Sequence, residues 1–186
     1  MSRAIANALG FQIVWFSTVA GVGHGLPWAG PLAAIVFAAW VLSDKTTRSA
    51  DVWLLLRALP IGYMTDCVWV ASGSIRFAEP WPAQPFAPIW ILALWVGLIL
   101  SINHSLVFLH QRPWLAMLLG AVSGPIAYYG ASRGFSAAAF EIGFSTMMWI
   151  LAITWAALLP LLLAMSAHYR RTLAIGAAPI ATGERQ

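Results

Sequence analysis

At 186 residues the chain has room for one compact unit, and 61% of it is hydrophobic against 9% charged, with a mean hydropathy of +0.79. A water-soluble domain of this size leaves much of its surface exposed and cannot hide so large an apolar fraction, so the composition excludes a soluble fold and makes the bilayer the solvent. The net charge of +4 comes from basic residues scattered between apolar runs, with no basic stripe and no recognised motif, so no nucleic-acid partner is expected.

Apolar stretches of about twenty residues predict membrane helices. They fall near residues 4–23, 28–43, 52–72, 88–109, 114–131 and 138–165, the second and fifth being the shortest. The expected fold is all-α, a polytopic transmembrane helical bundle of about six spans. Residues 1–171 form a single domain, and 172–186, which mix Gly, Pro and small residues, form a flexible tail. Arg3 and the run Ala4–Ala20 imitate a signal peptide. The run is longer than an ordinary signal core and carries Asn7 and Gln12, so it is expected to stay as the first span.

Breakers and polar residues mark the connections. Gly21 to Pro27 joins the first two spans, and Ser43 to Asp51 joins the next two. The longest connection, Gly73 to Ala87, holds Pro80, Pro82 and Pro85 with Phe77, Trp81 and Phe86, which suits the headgroup layer. His110–Pro113 and Ser132–Gly134 make the last two turns. Six spans would gather Arg3, Lys45, Arg48, Arg112, Arg170, Arg171 and Arg185 on one side and leave Arg76 and Arg133 on the other. The positive-inside rule then places both termini in the cytoplasm. Trp28, Trp53, Trp81, Trp90 and Trp114 fall at expected interfaces as an aromatic belt, while Trp15, Trp69, Trp95, Trp149 and Trp155 lie deeper.

Ionisable groups inside a membrane are costly, and four of them, with one polar neighbour, are candidate site residues: Arg57, Asp66, Asn103, His104 and Glu141. Arg57 and His104 each lie about five residues from the cytoplasmic end of their spans. With Asn103 they could form a lipid- or anion-binding pocket, although Arg57 is also placed to snorkel. Asp66 lies about seven residues, roughly 10 Å, from the outer end of its helix, too deep to snorkel. Nine residues at 100° each put it on the face opposite Arg57, and Tyr63 shares its face. Glu141 opens the last span near Tyr128, Tyr129, Arg133 and His24, where it also suits the helix dipole. Asp66 and Glu141 are the candidate catalytic carboxylates, provided they meet. Gly120 and Gly124 form a small-xxx-small step for close helix packing, within the bundle or in a homodimer.

Several chemistries lack their parts. Lys45 is the only lysine and lies in a loop, which rules out a retinal Schiff base. No HExxH motif occurs, Gly130-Ala-Ser132-Arg-Gly134 matches GxSxG in spelling but lies at a turn between apolar helical runs rather than between a strand and a helix, no metal site is expected, and no cofactor is named by the sequence. Cys67 is alone, so no internal disulfide can form.

Ala87-Pro88-Ile-Trp90 to Trp95, Ser101-Ile-Asn103-His104-Ser105-Leu106 and Gly120 to Gly130 together resemble small bacterial inner-membrane proteins catalogued as domain of unknown function 2878. Phe11-Gln12-Ile-Val-Trp15-Phe16 and Asp66 add to the likeness. The resemblance implies a multi-pass inner-membrane location but carries no activity and no catalytic residues. Its genes often lie near cyclopropane-fatty-acid-synthase-like methyltransferases and flavin amine-oxidase-like enzymes. It therefore implies membrane lipid as a partner and a cytoplasmic lipid-modifying methyltransferase or flavoenzyme as another. Pro80-Trp81-Pro82 and Pro88-Ile-Trp90 are similar, over a shorter stretch, to the tryptophan-rich sensory/translocator proteins.

Three functions follow as expectations. The first is an enzyme or accessory subunit of membrane fatty-acid modification. The second is a small-molecule or lipid transporter using Asp66 as a proton- or cation-coupled group. The third is a membrane scaffold. Whether the chain is an enzyme stays open at this point.

Overall fold

The computed structural model describes residues 2–176, with side chains as far as Thr172. Ser2 caps the first helix by accepting from the Ile5 N–H, and α1 runs Arg3–Gly23. It is followed by α2, Ala29–Leu42, and α3, Arg48–Ala71. A three-residue strand β1, Ile75–Phe77, precedes the short helix α4, Ile91–Ile99. Pro113 occupies the first turn of α5, Pro113–Phe135, where its missing N–H costs nothing. Ser136, at φ 55°, ends that helix in the left-handed conformation. Strand β2, Ala138–Phe140, then leads into α6, Phe144–Gly176.

The helices α1, α3, α5 and α6 are each long and apolar enough to cross a membrane, and α2 is a shorter apolar helix. Their surfaces are inverted relative to a soluble protein. Ile13, Ile35, Leu56, Ile126 and Ile153 face outward, while Asn7, Asp51, Asp66, Asn103 and Ser166 are buried. Apolar outside and polar inside is the arrangement that lipid selects, and the chain is a membrane protein.

The bundle has two distinct ends. At the basic end, Arg3 pairs with Asp44 at 3.0 Å, joining the start of α1 to the α2–α3 turn. Trp53 of α3 stacks on Tyr169 of α6 at the same end, with centroids 4.5 Å apart. At the opposite end β1 and β2 pair antiparallel, Ile75 opposite Phe140 and Phe77 opposite Ala138.

Three expected boundaries are corrected. The stretch 88–109 is not one helix. It is helical over Ile91–Ile99, turns through Leu100–Leu106, and closes with a 3-10 turn at Val107–Leu109. Ser101, Asn103 and Ser105 crowd this segment with groups that compete for backbone hydrogen bonds. Asn7 of α1 repairs the break: its Nδ2 donates to the Leu100 carbonyl at 3.2 Å, and its Oδ1 accepts from the Ser105 N–H and hydroxyl. Irregular backbone is tolerated in a bilayer only when protein satisfies it in this way. The stretch 138–165 opens as strand β2, so its helix starts later, at Phe144, and runs further. The helix also enters the stretch assigned to the tail, whose residues 177–186 lie outside the described part.

The Pro-rich connection contains β1 and is fastened at its far end. The Tyr63 hydroxyl donates to the Ala87 carbonyl at 2.6 Å, and the Ala87 N–H donates to Cys67 Sγ. Trp90, expected in the interfacial belt, is instead buried here, with its indole N–H on the Ala78 carbonyl at 3.1 Å.

Candidate functional site

The buried face of α3 reads Asp51, Leu54, Ala58, Gly62, Asp66 and Val70, a helical row of three- and four-residue steps. Two carboxylates lie on it, about 22 Å apart along the axis at 1.5 Å per residue. They have different surroundings.

Asp66 is 2% exposed. The Trp95 indole N–H donates to Oδ2 at 2.7 Å, and the Tyr128 hydroxyl donates to Oδ1 at 2.5 Å. Both donors are held by packing that depends on glycine. The Trp95 ring lies parallel to that of Trp155, with centroids 5.3 Å apart and planes 6° apart. A Cβ on Gly62 would fall 2.2 Å from Trp95, and one on Gly124 would fall 2.3 Å from Trp155. The layers are therefore Gly62, Trp95, Trp155 and Gly124. Asp66 and Tyr128 follow one turn later on the two flanking helices. Gly120 receives the same partner, since its Cβ would sit 2.2 Å from the Trp155 carbonyl oxygen. The small face of α5 is thus covered by α6 within the chain.

Two more indoles complete the surround. The Nε1 atoms of Trp69 and Trp155 are buried beside the Tyr128 hydroxyl, yet find no acceptor among the described residues. An indole N–H can only donate. Both groups bonded to Asp66 therefore supply hydrogens to a carboxylate, and among the described residues no cationic side chain is bonded to it.

Asp51, expected at the end of the connection from Ser43, is the second centre. It is fully buried in the first turn of α3. Asn103 Nδ2 donates to Oδ1 at 2.8 Å, and His104 Nε2 lies 3.0 Å from Oδ2. The Ser166 hydroxyl of α6 donates to Asn103 Oδ1, and His110 Nε2 lies 3.4 Å from that hydroxyl. The chain Asp51–Asn103–Ser166–His110 leads from a fully buried carboxylate to a half-buried imidazole at the basic end.

The structure separates residues that the sequence grouped. Asn103 and His104 point inward to Asp51. Arg57 stays on the exposed face of α3, with its guanidinium carbon 4.2 Å from the Trp53 ring centroid. The three do not form one pocket. Glu141 lies between β2 and α6 rather than opening a span, and its carboxylate accepts from Arg76 Nε at 2.8 Å at the surface. Asp66 and Glu141 share no partner, and the expected carboxylate pair is not formed.

The family model described as "Protein of unknown function (DUF2878)" matches residues 4–161. The chain belongs to the DUF2878 family. No curated protein and no solved structure matches it. The match takes in α1 through α5 and the first half of α6, and so every residue of the Asp66 site, together with Asp51, Asn103 and His104. Ser166 and Tyr169 lie beyond it.

Proposed function

We propose that this DUF2878 protein is a membrane carrier or binding protein whose coupling group is Asp66. The supporting observation is the one-sided surround of that carboxylate. Trp95 and Tyr128 meet the hydrogen-bonding demand of an anion, but hydrogen bonds from neutral donors do not cancel its charge. An ionised carboxylate without a counter-charge is expensive inside a bilayer. The missing partner is a proton in one state and a cation in another, and exchange between them is how an intramembrane carboxylate couples transport. The basic end faces the cytoplasm of a bacterial inner membrane in this reading, as the positive-inside rule requires. Asp66 acts by binding and releasing a proton, and Glu141 takes no part.

The test uses the purified chain in liposomes, with tetraphenylphosphonium as a permeant-cation probe and a pH dye inside. Wild-type protein is expected to exchange probe for protons in a direction set by the imposed pH gradient. Per folded molecule, Asp66→Asn should abolish the exchange, whereas Tyr128→Phe, which keeps the carboxylate, should only slow it. Exchange unchanged in Asp66→Asn would remove the proposed role.

A second reading, participation in membrane fatty-acid modification beside a cytoplasmic methyltransferase or flavoenzyme, draws support from the exposed cation–aromatic contact of Arg57 at the basic end. It predicts altered acyl-chain masses in the membranes of a deletion strain, restored by the wild-type gene. Unchanged lipid spectra under conditions of expression would leave the carrier reading alone.

A further inference from the structure

The basic end carries an open groove of about 560 Å³ between the α2–α3 turn, the outer face of α3 and the last turns of α6. Two neighbouring rows of α3 line it, Arg48–Val52–Leu56 and Ser49–Trp53–Arg57, each in four-residue steps. Lys45 closes one side and Tyr169 the other.

Three cations thus line one groove, and no carboxylate answers them among the described residues. The acidic groups nearest in sequence are committed elsewhere. Asp44 pairs with Arg3 and accepts from the Thr46 hydroxyl and N–H. Those contacts, the Thr46 hydroxyl first, hold its carboxyl below the ordinary range, so it remains an anion turned to its own partners. Asp51 is buried against Asn103 and His104. Arg48 spends its Nε on the Leu42 carbonyl at 2.6 Å, which fixes the side chain and leaves its terminal nitrogens for another acceptor.

The polarity of the groove changes with depth. Arg57 lies nine residues beyond Arg48, roughly 13 Å further along the helix. Trp53 and Tyr169 occupy the level between them as a stacked pair, and Trp and Tyr favour the headgroup layer. Leu56, 69% exposed, continues the same face toward the hydrocarbon. Lys45 and Arg48 at the rim, flat aromatics with the Arg57 guanidinium below, and aliphatic surface beside them match the order of chemistry along a phospholipid.

We propose that this groove binds one anionic phospholipid, with its phosphate held at the rim by Lys45 and Arg48, its ester oxygens reached one level deeper by the Arg57 guanidinium beside Trp53, and an acyl chain laid along Leu56. Guanidinium groups suit phosphate because they present paired N–H donors, and a net negative headgroup is what three unanswered cations select. The site is separate from Asp66 and does not depend on the carrier reading.

The experiment is native mass spectrometry of the delipidated full chain in neutral detergent, titrated with phosphatidylglycerol, phosphatidylcholine or inorganic phosphate. One phosphatidylglycerol is expected to bind at concentrations where phosphatidylcholine does not. The double variant Arg48→Gln/Arg57→Gln should weaken that binding by about tenfold or more. Arg133→Gln, at the opposite end, should leave it unchanged. Gln variants keep length and polarity, and a monodisperse elution profile checks their fold. Should both double variants, this one and Lys45→Gln/Arg57→Gln, misfold, the wild-type preference for phosphatidylglycerol and its loss in high salt decide the matter. Equal binding of phosphatidylcholine, or unchanged binding in the folded double variant, would overturn the proposal. So would displacement of the lipid by inorganic phosphate at comparable concentration, which would assign the site to the free anion.

Discussion

Asp66→Ala is expected to destabilise the detergent-solubilised protein by roughly 2–5 kcal/mol, and Asp66→Asn by less, roughly 1–3 kcal/mol. Alanine leaves the Trp95 N–H and the Tyr128 hydroxyl buried without their acceptor, beside two indole N–H groups that already lack one. Asparagine is usually the mild replacement for aspartate. Here its amide nitrogen would bring two further hydrogens into a surround of indole donors, and Tyr128 is the only neighbour among the residues bonded to Asp66 able to accept one. Tyr128→Phe removes a donor and leaves the acceptor, so it should cost only about 1 kcal/mol. Thermal unfolding followed by size-exclusion chromatography ranks the three. An asparagine variant as stable as wild type would mean that Asp66 is already protonated and donating to Tyr128, with the phenol turned toward an acceptor of its own.

Much of this site was legible in the sequence, but from a different pattern than the one that drew attention. Asp66 stood out because a carboxylate so deep in a span cannot snorkel, and the helical wheel correctly set it opposite Arg57. The same wheel, extended backward, runs through Gly62, Ala58 and Leu54 to Asp51, the buried row of α3. Starting the span at residue 52 rather than Arg48 turned Asp51 into a loop residue and hid the second centre. Gly62 and Gly124 each precede a polar side chain by four residues, a spacing that marks where a large ring presses on the backbone one turn below a donor or acceptor. Which ring presses there is decided by α4 and α6, and no local pattern reports that. The Trp95–Trp155 stack and the choice of Tyr128 as the partner of Asp66, rather than of Glu141, come from the packing of four helices.

The break in α4 was hidden for a related reason. Hydropathy over 88–109 cannot tell a continuous helix from a broken one, because burial in protein satisfies the freed backbone as well as helix geometry does. Asn7, an apparent blemish in the first span, is the group that makes the break affordable. The strands β1 and β2 are three residues each, too short for an alternating pattern, and lie 63 positions apart in register at Arg76 and Ala139. That pairing ties the connection before α4 to the connection before α6, and it sets Glu141 beside Arg76 at the protein surface.

Asp51 should separate the same two substitutions more widely. Asp51→Ala is expected to cost roughly 3–5 kcal/mol, because it removes a buried acceptor from Asn103 and His104 together. Both partners sit on the irregular segment Leu100–Leu106, which has few helical hydrogen bonds of its own, so its anchoring is lost along with the pair. Asp51→Asn should cost only about 1 kcal/mol. Its amide oxygen can still accept from Asn103, and its amide nitrogen can donate to His104 Nε2, because a neutral imidazole can carry its proton on either nitrogen. Hydrogen exchange over Leu100–His110, read by mass spectrometry, should rise sharply in the alanine variant and little in the asparagine variant. Equal damage from both would mean that His104 is held as a cation paired with Asp51, unable to accept. The two carboxylates thus share one helix and one buried row but differ in their neighbours: both Asn103 and His104 can present an acceptor to a substituted amide, whereas beside Asp66 Tyr128 can and Trp95 cannot. That difference is why an amide is tolerated better in place of Asp51 than in place of Asp66.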